Sequence, residues 1–252
     1  MAFYAYCLLR LNPDEPWPVM QGISDHPVFP LRSGKYAMLL SRLERSFPFS
    51  PRSIVEHGQV IAHAFESRTV LPMRFATFFK SEKQIVNLIQ ENQKELLEAF
   101  CRLRGKAEMR LKLLFQADAL EATAQAQKKG CQSTLSSRFA CATGEETPLD
   151  PRNQELAHQL AARVGEMFHP IEQQISCRLI HSRELVVDCA HLVESQKVEI
   201  YQKLLSAASE QVKNCDLRIS GPWPPYHFLP SAVRMPAGNL VPLRRRAVVG
   251  SH

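Results

Sequence analysis

Nine histidines, seven cysteines and a few paired acids are the groups in this 252-residue chain that could do chemistry. Their spacing supports little of it. His57 and His63 share a predicted helix but stand six residues apart, on different sides. One shared metal would want a spacing of three or four. They read as surface or cap histidines. Glu56-His57 does not begin the His-Glu-x-x-His pattern of a zinc hydrolase. Ser33-Gly34-Lys35 lacks the upstream glycine and the following Ser or Thr of a phosphate-cradling loop. No G-x-G-x-x-G or G-x-S-x-G occurs. Glu145-Glu146 lie in a polar stretch and read as a solvated patch, not a general acid/base pair. The expectation is a protein that is not an enzyme, with no metal and no cofactor.

Two blocks carry more information. Thr69-Val70-Leu71-Pro72-Met73-Arg74-Phe75-Ala76-Thr77-Phe78-Phe79 combines a β-type run with an arginine and three phenylalanines. Arg74 has two readings: its stem packs while its head pairs with a carboxylate, or it meets a partner. Phe75, Phe78 and Phe79 read first as core, since large aromatics are usually buried. Near the other end stands Gly221-Pro222-Trp223-Pro224-Pro225-Tyr226. Prolines after a strand can stop the sheet and fold the chain back, with Trp223 as the anchor. The tyrosine follows Pro-Pro directly, so this is not a Pro-Pro-x-Tyr ligand. Trp223 and Tyr226 are also good interface residues if exposed. Pro72, Arg74, Phe75, Trp223 and Tyr226 are therefore the candidate partner-binding residues.

The elements that must position these blocks follow from periodicity. Residues 3–9 are aromatic-rich and read as a strand. Prolines at 13, 16, 18, 27 and 30 mark a long loop. Residues 35–43 read as a strand, although a short apolar run also suits a helix. Ser50-Pro51 is a helix start, and Ile54, Gly58, Ile61 and Phe65 repeat at helical spacing, predicting a helix over 51–66. Pro72 places its short strand at an edge or an end. Ile85, Leu88, Ile89, Leu96, Phe100 and Leu103 predict one helix over 81–104, its stripe interrupted by Asn92 and its end closed by Gly105. In residues 107–115 Met109, Leu111, Leu113 and Phe115 alternate with Arg110 and Lys112, a strand with one buried face.

Residues 116–150 change character. An Ala/Gln-rich stretch (118–127) could be helical, and a domain junction is expected here. From Pro151 the series Leu156, Leu160, Val164, Met167, Ile171, Ile175 and Leu179 predicts a long helix, kinked or split at Pro170. Residues 184–192 read as a buried strand. Ser195 caps a further helix ending at Asn214, and 215–220 form the last strand before an extended proline-rich segment.

Hydrophobic residues make up 45% and charged residues 22% of the chain, a globular composition. The expected fold is α+β with two domains, each a small β-sheet packed by helices in a ferredoxin-like variant. The expected division is 1–117, a connection at 118–150, 151–230, and a basic tail at 231–252. Net charge is +6, but Arg234, Arg244, Arg245 and Arg246 fall in 232–252 with no acid, so the basicity is largely the tail's. A nucleic-acid-binding ferredoxin-like module is the alternative function. Few positives lie on the strands and no RNP-like pattern occurs, so nucleic acid is a disfavoured partner. The cysteines, odd in number and without Cys-x-x-Cys, argue against a disulfide framework and for a reducing, cytoplasmic setting. Cys7, Cys189 and Cys215 fall in strand-like runs, where a thiol behaves as a small buried hydrophobe. No apolar run has the length of a membrane span, and residues 1–9 read as a first strand, not a leader.

The pattern of Val70-Leu71-Pro72-Met73-Arg74-Phe75-Ala76-Thr77-Phe78-Phe79 after a helix resembles the gas vesicle protein L/F (GvpL/GvpF) family. So do the long helix ending in Gly105-Lys106-Ala107-Glu108, and Gly221 to Phe228. Tyr4 and Tyr6 in the opening strand fit as well, and the similarity spans residues 3–228. Family members often carry glycine after Arg-Phe, where this chain has Ala76, and alanine tolerates a positive φ poorly. The resemblance implies an accessory protein required for gas vesicle formation in the cytoplasm of prokaryotes, with no catalytic role. Its implied partners are the major hydrophobic shell protein, bound during assembly or nucleation, and other gas vesicle accessory proteins.

Overall fold

A computed structural model describes residues 1–12, 14–115, 166, 168, 171–181, 185–211 and 215–234. The Ala/Gln-rich stretch, Glu145-Glu146, most of the helix expected from Pro151, and Arg244 to Arg246 lie outside the described residues. The chain divides into two compact units, one of Met1–Arg104 with Leu229–His252, the other of Gly105–Phe228. The architecture is α+β, with two antiparallel sheets and four helices among the described residues.

In the first unit β1 (Ala2–Arg10), β2 (Met20–Gln21), β3 (Pro27–Ser33), β4 (Tyr36–Leu43) and β5 (Val70–Pro72) form the order β2-β3-β4-β1-β5. The two-residue β6 (Phe78–Phe79) also pairs with β1. This order differs from the four-strand ferredoxin-like pattern. The region read as a proline loop holds β3, which includes Pro27 and Pro30. Apart from the two residues of β2, β3 is the rim of the sheet, where a missing N–H costs no ladder bond. The rest of that loop is held by cations. Arg32 donates to the carbonyls of Asn12 and Glu15, and Arg68 bonds Glu15 at 2.9 Å. Arg68 also lies 5.5 Å from the centre of the Trp17 ring.

Both faces of β1 and β4 are buried. Ala37, Leu39 and Leu43 join Tyr4 and Tyr6 in a cluster with Val60, Ile61 and Ala64 of α1 (Pro51–Ser67). On the opposite face the Tyr36 ring stacks on Phe100 at 5.6 Å. α1 starts as predicted: Ser50 accepts from the Ser53 amide and Ser53 returns the bond, with Pro51 in the first turn. Its buried face is rotated from the expected one. Ser53, His57, Val60, Ile61 and Ala64 face inward, while Ile54 is 53% exposed. The helix expected over 81–104 is two, α2 (Glu82–Glu91) and α3 (Gln93–Leu103). Asn92 breaks them by turning its amide onto the Leu88 carbonyl at 2.8 Å. Glu95 of α3 accepts from the amide and hydroxyl of Ser231 at 2.7 and 2.6 Å, fastening the returning chain.

In the second unit β7 (Lys106–Phe115), β8 (Glu172–His181), β9 (Leu185–Glu194) and β10 (Cys215–Trp223) pair in the order β10-β7-β9-β8. A ferredoxin-like arrangement also needs a helix in the first crossover, and residues 116–165 lie outside the described residues. The helical series expected to run through Ile175 and Leu179 is wrong beyond Pro170, because both residues lie in β8. A step of four suits a strand's period of two as well as a helix's 3.6. α4 (Val198–Gln211) packs Tyr201 under the sheet. Tyr201 stacks on Phe168 at 4.3 Å and hydrogen-bonds His191 Nδ1 at 2.7 Å. Cys189 is not the free thiol expected from its strand; it is disulfide-bonded. The backbone register sets position 177 of β8 opposite it, and an odd cysteine count without Cys-x-x-Cys gave no sign of the bond.

Candidate functional site

The Thr69–Phe79 block is an edge strand interrupted by a tight turn. β5 and β6 both pair with β1, and between them the Met73 amide bonds the Tyr6 carbonyl at 2.8 Å. The Ala5 amide bonds the Thr77 carbonyl at 3.0 Å. Arg74 to Thr77 close a turn: the Thr77 amide and hydroxyl both donate to the Arg74 carbonyl, at 3.2 and 2.7 Å. Pro72 is buried at the end of the edge strand, where no further ladder bond is asked of it. Arg74 is exposed. Phe75 is half-buried, its ring 4.8 Å from Phe49 and 5.6 Å from His57. Phe78 and Phe79 are core.

Ala76 has φ of 64°, the left-handed region that favours glycine. Its amide donates to the Tyr4 hydroxyl at 3.3 Å. Tyr4 Oη donates in turn to His57 Nδ1 at 2.8 Å, and His57 Nε2 donates to the Met73 carbonyl at 3.1 Å. A carbonyl can only accept, so Nε2 carries a hydrogen, and burial keeps the ring neutral. One buried chain of hydrogen bonds thus ties α1 and β1 to both ends of the turn. Burial holds the His57 pKa at about 4. This residue is not the surface or cap histidine expected from its spacing; it is 4% exposed. Its only sequence signal is a helix face that reads Ser53, His57, Val60, Ile61 and Ala64. Tyr6 is fixed likewise. It bonds Ser41 at 3.0 Å and accepts from the Ile23 amide at 3.0 Å, and burial pushes its pKa up. Gly22 is required beside it, since a Cβ there would meet Tyr6 Oη at 2.1 Å.

The second block is latched within the second unit. β10 runs on through Gly221 to Trp223, and a Cβ on Gly221 would meet the Glu108 carbonyl at 2.8 Å. The Glu108 side chain is 1% exposed. Its carboxylate accepts from the His227 amide at 2.8 Å and from His227 Nδ1 at 2.6 Å. Phe228 is buried. Trp223, expected as the anchor, is 46% exposed, and Tyr226 is 37% exposed. The Glu108 carboxylate, with two charge-assisted bonds, and the buried Phe228 ring hold this turn in place of Trp223. Glu108 and His227, which fix this candidate segment, were not singled out in the sequence, although both stand inside the quoted motifs.

The structure therefore brings Arg74 and Phe75 together in one turn of the first unit, with Pro72 at the end of the strand that leads into it. Trp223 and Tyr226 flank Pro224-Pro225 in the second. Among the described residues no group of three or more His, Cys, Asp or Glu could hold a metal ion. Also among them, no helix is long and apolar enough to cross a membrane. Arg110, on the solvated face expected for β7, bonds Asp188.

Known proteins resemble this chain in sequence and fold. The profile of the family described as gas vesicle synthesis protein GvpL/GvpF matches residues 2–230. Gas vesicle protein L1 of Halobacterium salinarum is 23% identical over 253 residues, covering 90% of each chain. Gas vesicle protein F of Streptomyces sp. is 22% identical, over 91% of this chain and 100% of that relative. The crystal structure of GvpF from Microcystis aeruginosa matches with a TM-score of 0.71 at 18% identity, covering 90% of this chain and 98% of that one. GvpF from Anabaena sp. PCC7120 matches with a TM-score of 0.67. The chain belongs to the gas vesicle synthesis protein GvpL/GvpF family, a family of gas vesicle formation.

Proposed function

We propose that this protein is an accessory factor of gas vesicle formation that binds the major hydrophobic shell protein during assembly or nucleation, in the cytoplasm and at the growing vesicle. The reading rests on the family and on one observation: Trp223 and Tyr226 are exposed on a segment whose backbone is held by Glu108. Rigid aromatic anchors on a fixed backbone lose little conformational entropy on binding, which suits them to a transient apolar contact. A shell subunit must bury apolar surface in the wall, and before assembly that surface aggregates unless covered. The Arg74–Phe75 turn, pinned from beneath by His57, is a second contact in this reading, with Pro72 shaping the edge that presents it.

Co-purification of the full chain with the shell protein tests this. Trp223→Ala with Tyr226→Ala is expected to lower recovery of the complex about tenfold, the loss of roughly 1.4 kcal/mol of contact. Undiminished recovery by a folded double variant would remove this surface.

A further inference from the structure

The face of α1 turned away from the core is apolar. At 100° per residue, Ile54, Gly58, Pro51, Ala62 and Val55 fall within about 100° of arc, while Phe65 on the same side packs against the core cluster. Ile54 is 53% and Val55 58% exposed. A strip that wide is what a helix normally buries. Gly58 lies at its centre, where glycine costs about 1 kcal/mol of helix stability relative to alanine. Among the described residues nothing requires it: a Cβ added at Gly58 meets no atom within 4 Å. Glycine in mid-helix beneath open space fits the close approach of another backbone.

Charge identifies that other backbone. Arg52 and Glu66 lie on the same flank of the strip, near its opposite ends, with side chains 79% and 75% exposed. We propose that α1 is the contact of a two-fold homodimer, packed antiparallel on α1 of a second copy with Gly58 at the crossing. A two-fold axis through Gly58 sets Ile54 against the partner subunit's Ala62. It also brings Arg52 to within about 3 Å, along the axis, of the partner subunit's Glu66, twice by symmetry. A parallel pair would place the partner subunit's Arg52 and the partner subunit's Glu66 on the opposite side of the seam, with no cross-helix partner for either charge. Arg52 already bonds Glu56 on its own helix at 2.8 Å, and its exposed guanidinium has donors to spare. A contact confined to one helix is smaller than the roughly 1,200 Å² of a stable interface, so the dimer is weak.

Sedimentation of the full chain from about 10 to 300 μM reads this equilibrium, with a dissociation constant of order 100 μM expected. Gly58→Gln leaves the monomer fold intact, because the site is open, and is expected to weaken dimerisation at least about tenfold. Glu66→Arg weakens it, and Arg52→Glu combined with Glu66→Arg restores it. A wild-type chain that stays monomeric throughout would overturn the proposal, including where the shell protein proves to seat on α1. So would a dimer insensitive to Gly58→Gln, or one that the charge swap fails to restore. The shell-protein contact at Trp223 and Tyr226 is read by a separate assay, and either result leaves it standing or falling on its own.

Discussion

Acidification should undo the His57 network before it reaches the rest of the first unit. Nε2–H is committed to the Met73 carbonyl, and Nδ1 accepts from Tyr4. An added proton on Nδ1 would force the Tyr4 hydroxyl to turn from donor to acceptor, and the charge is buried. The ring therefore titrates at about 4 instead of its ordinary 6.5. Below pH 6.5 the unfolded chain takes up this proton and the folded chain does not, so folding is penalised progressively. The stability contributed by neutral His57 is full above 6.5 and is lost as pH falls through the window down to about 4. At about 1.4 kcal/mol per pH unit, the loss from this group is about 3 kcal/mol. His57→Gln removes the titration. It should be less stable near neutrality by about 2–4 kcal/mol, since Tyr4 and Met73 lose partners, yet flatter across the window. Two tryptophans make the assay local: in a Trp223→Phe background, Trp17 fluorescence reports urea unfolding of the first unit. His191 in the second unit is also depressed by burial, to about 3, and would confuse a global probe. An NMR titration placing folded His57 near its ordinary value would refute the argument. So would equal pH slopes in wild type and His57→Gln.

Two further outcomes follow from the pinned segments. Glu108→Ala should cost about 3 kcal/mol, from two charge-assisted bonds to His227 at roughly 1.5 kcal/mol or more each. Hydrogen exchange over residues 224–228 should rise with it, and unchanged exchange would show that the carboxylate does not hold this turn. Ala76→Gly relieves about 1–2 kcal/mol of left-handed strain. It gives back about 0.4–1 kcal/mol in unfolded-state entropy and up to about 0.8 kcal/mol of methyl burial. Its melting point should stay close to wild type, whereas Ala76→Val, branched at Cβ, should lose about 2 kcal/mol or more. A well-tolerated valine would contradict the positive φ.

How legible each element was depended on whether neighbours in sequence were also its physical partners. Ser50, Pro51 and Ser53 settle the start of α1 among themselves, and the alternation in β7 stands on residues two apart. Asn92 was visible as an interruption, but a break in the helix requires its amide to take the Leu88 carbonyl. β8 was misread because Ile175 and Leu179 are spaced for either period, and pairing with β9 made the choice. The face of α1 was misread because an apolar Ile54 outranked a polar His57. Tyr4 and Met73, which make His57 the better core residue, stand 53 and 16 positions away.

What the sequence determined by itself was the family, the two informative blocks and most helix and strand identities. These rest on short-range periodicity and on motifs read residue by residue. Only the tertiary structure decided that Ala76 adopts a glycine's conformation, that Glu108 and not Trp223 anchors the second block, and that Cys189 is no free thiol. Each of those outcomes depends on an atom distant in sequence supplying a bond that a local preference would otherwise forbid or leave unmade. A hydrogen bond from Ala76 to Tyr4, across 72 positions, has no local signature.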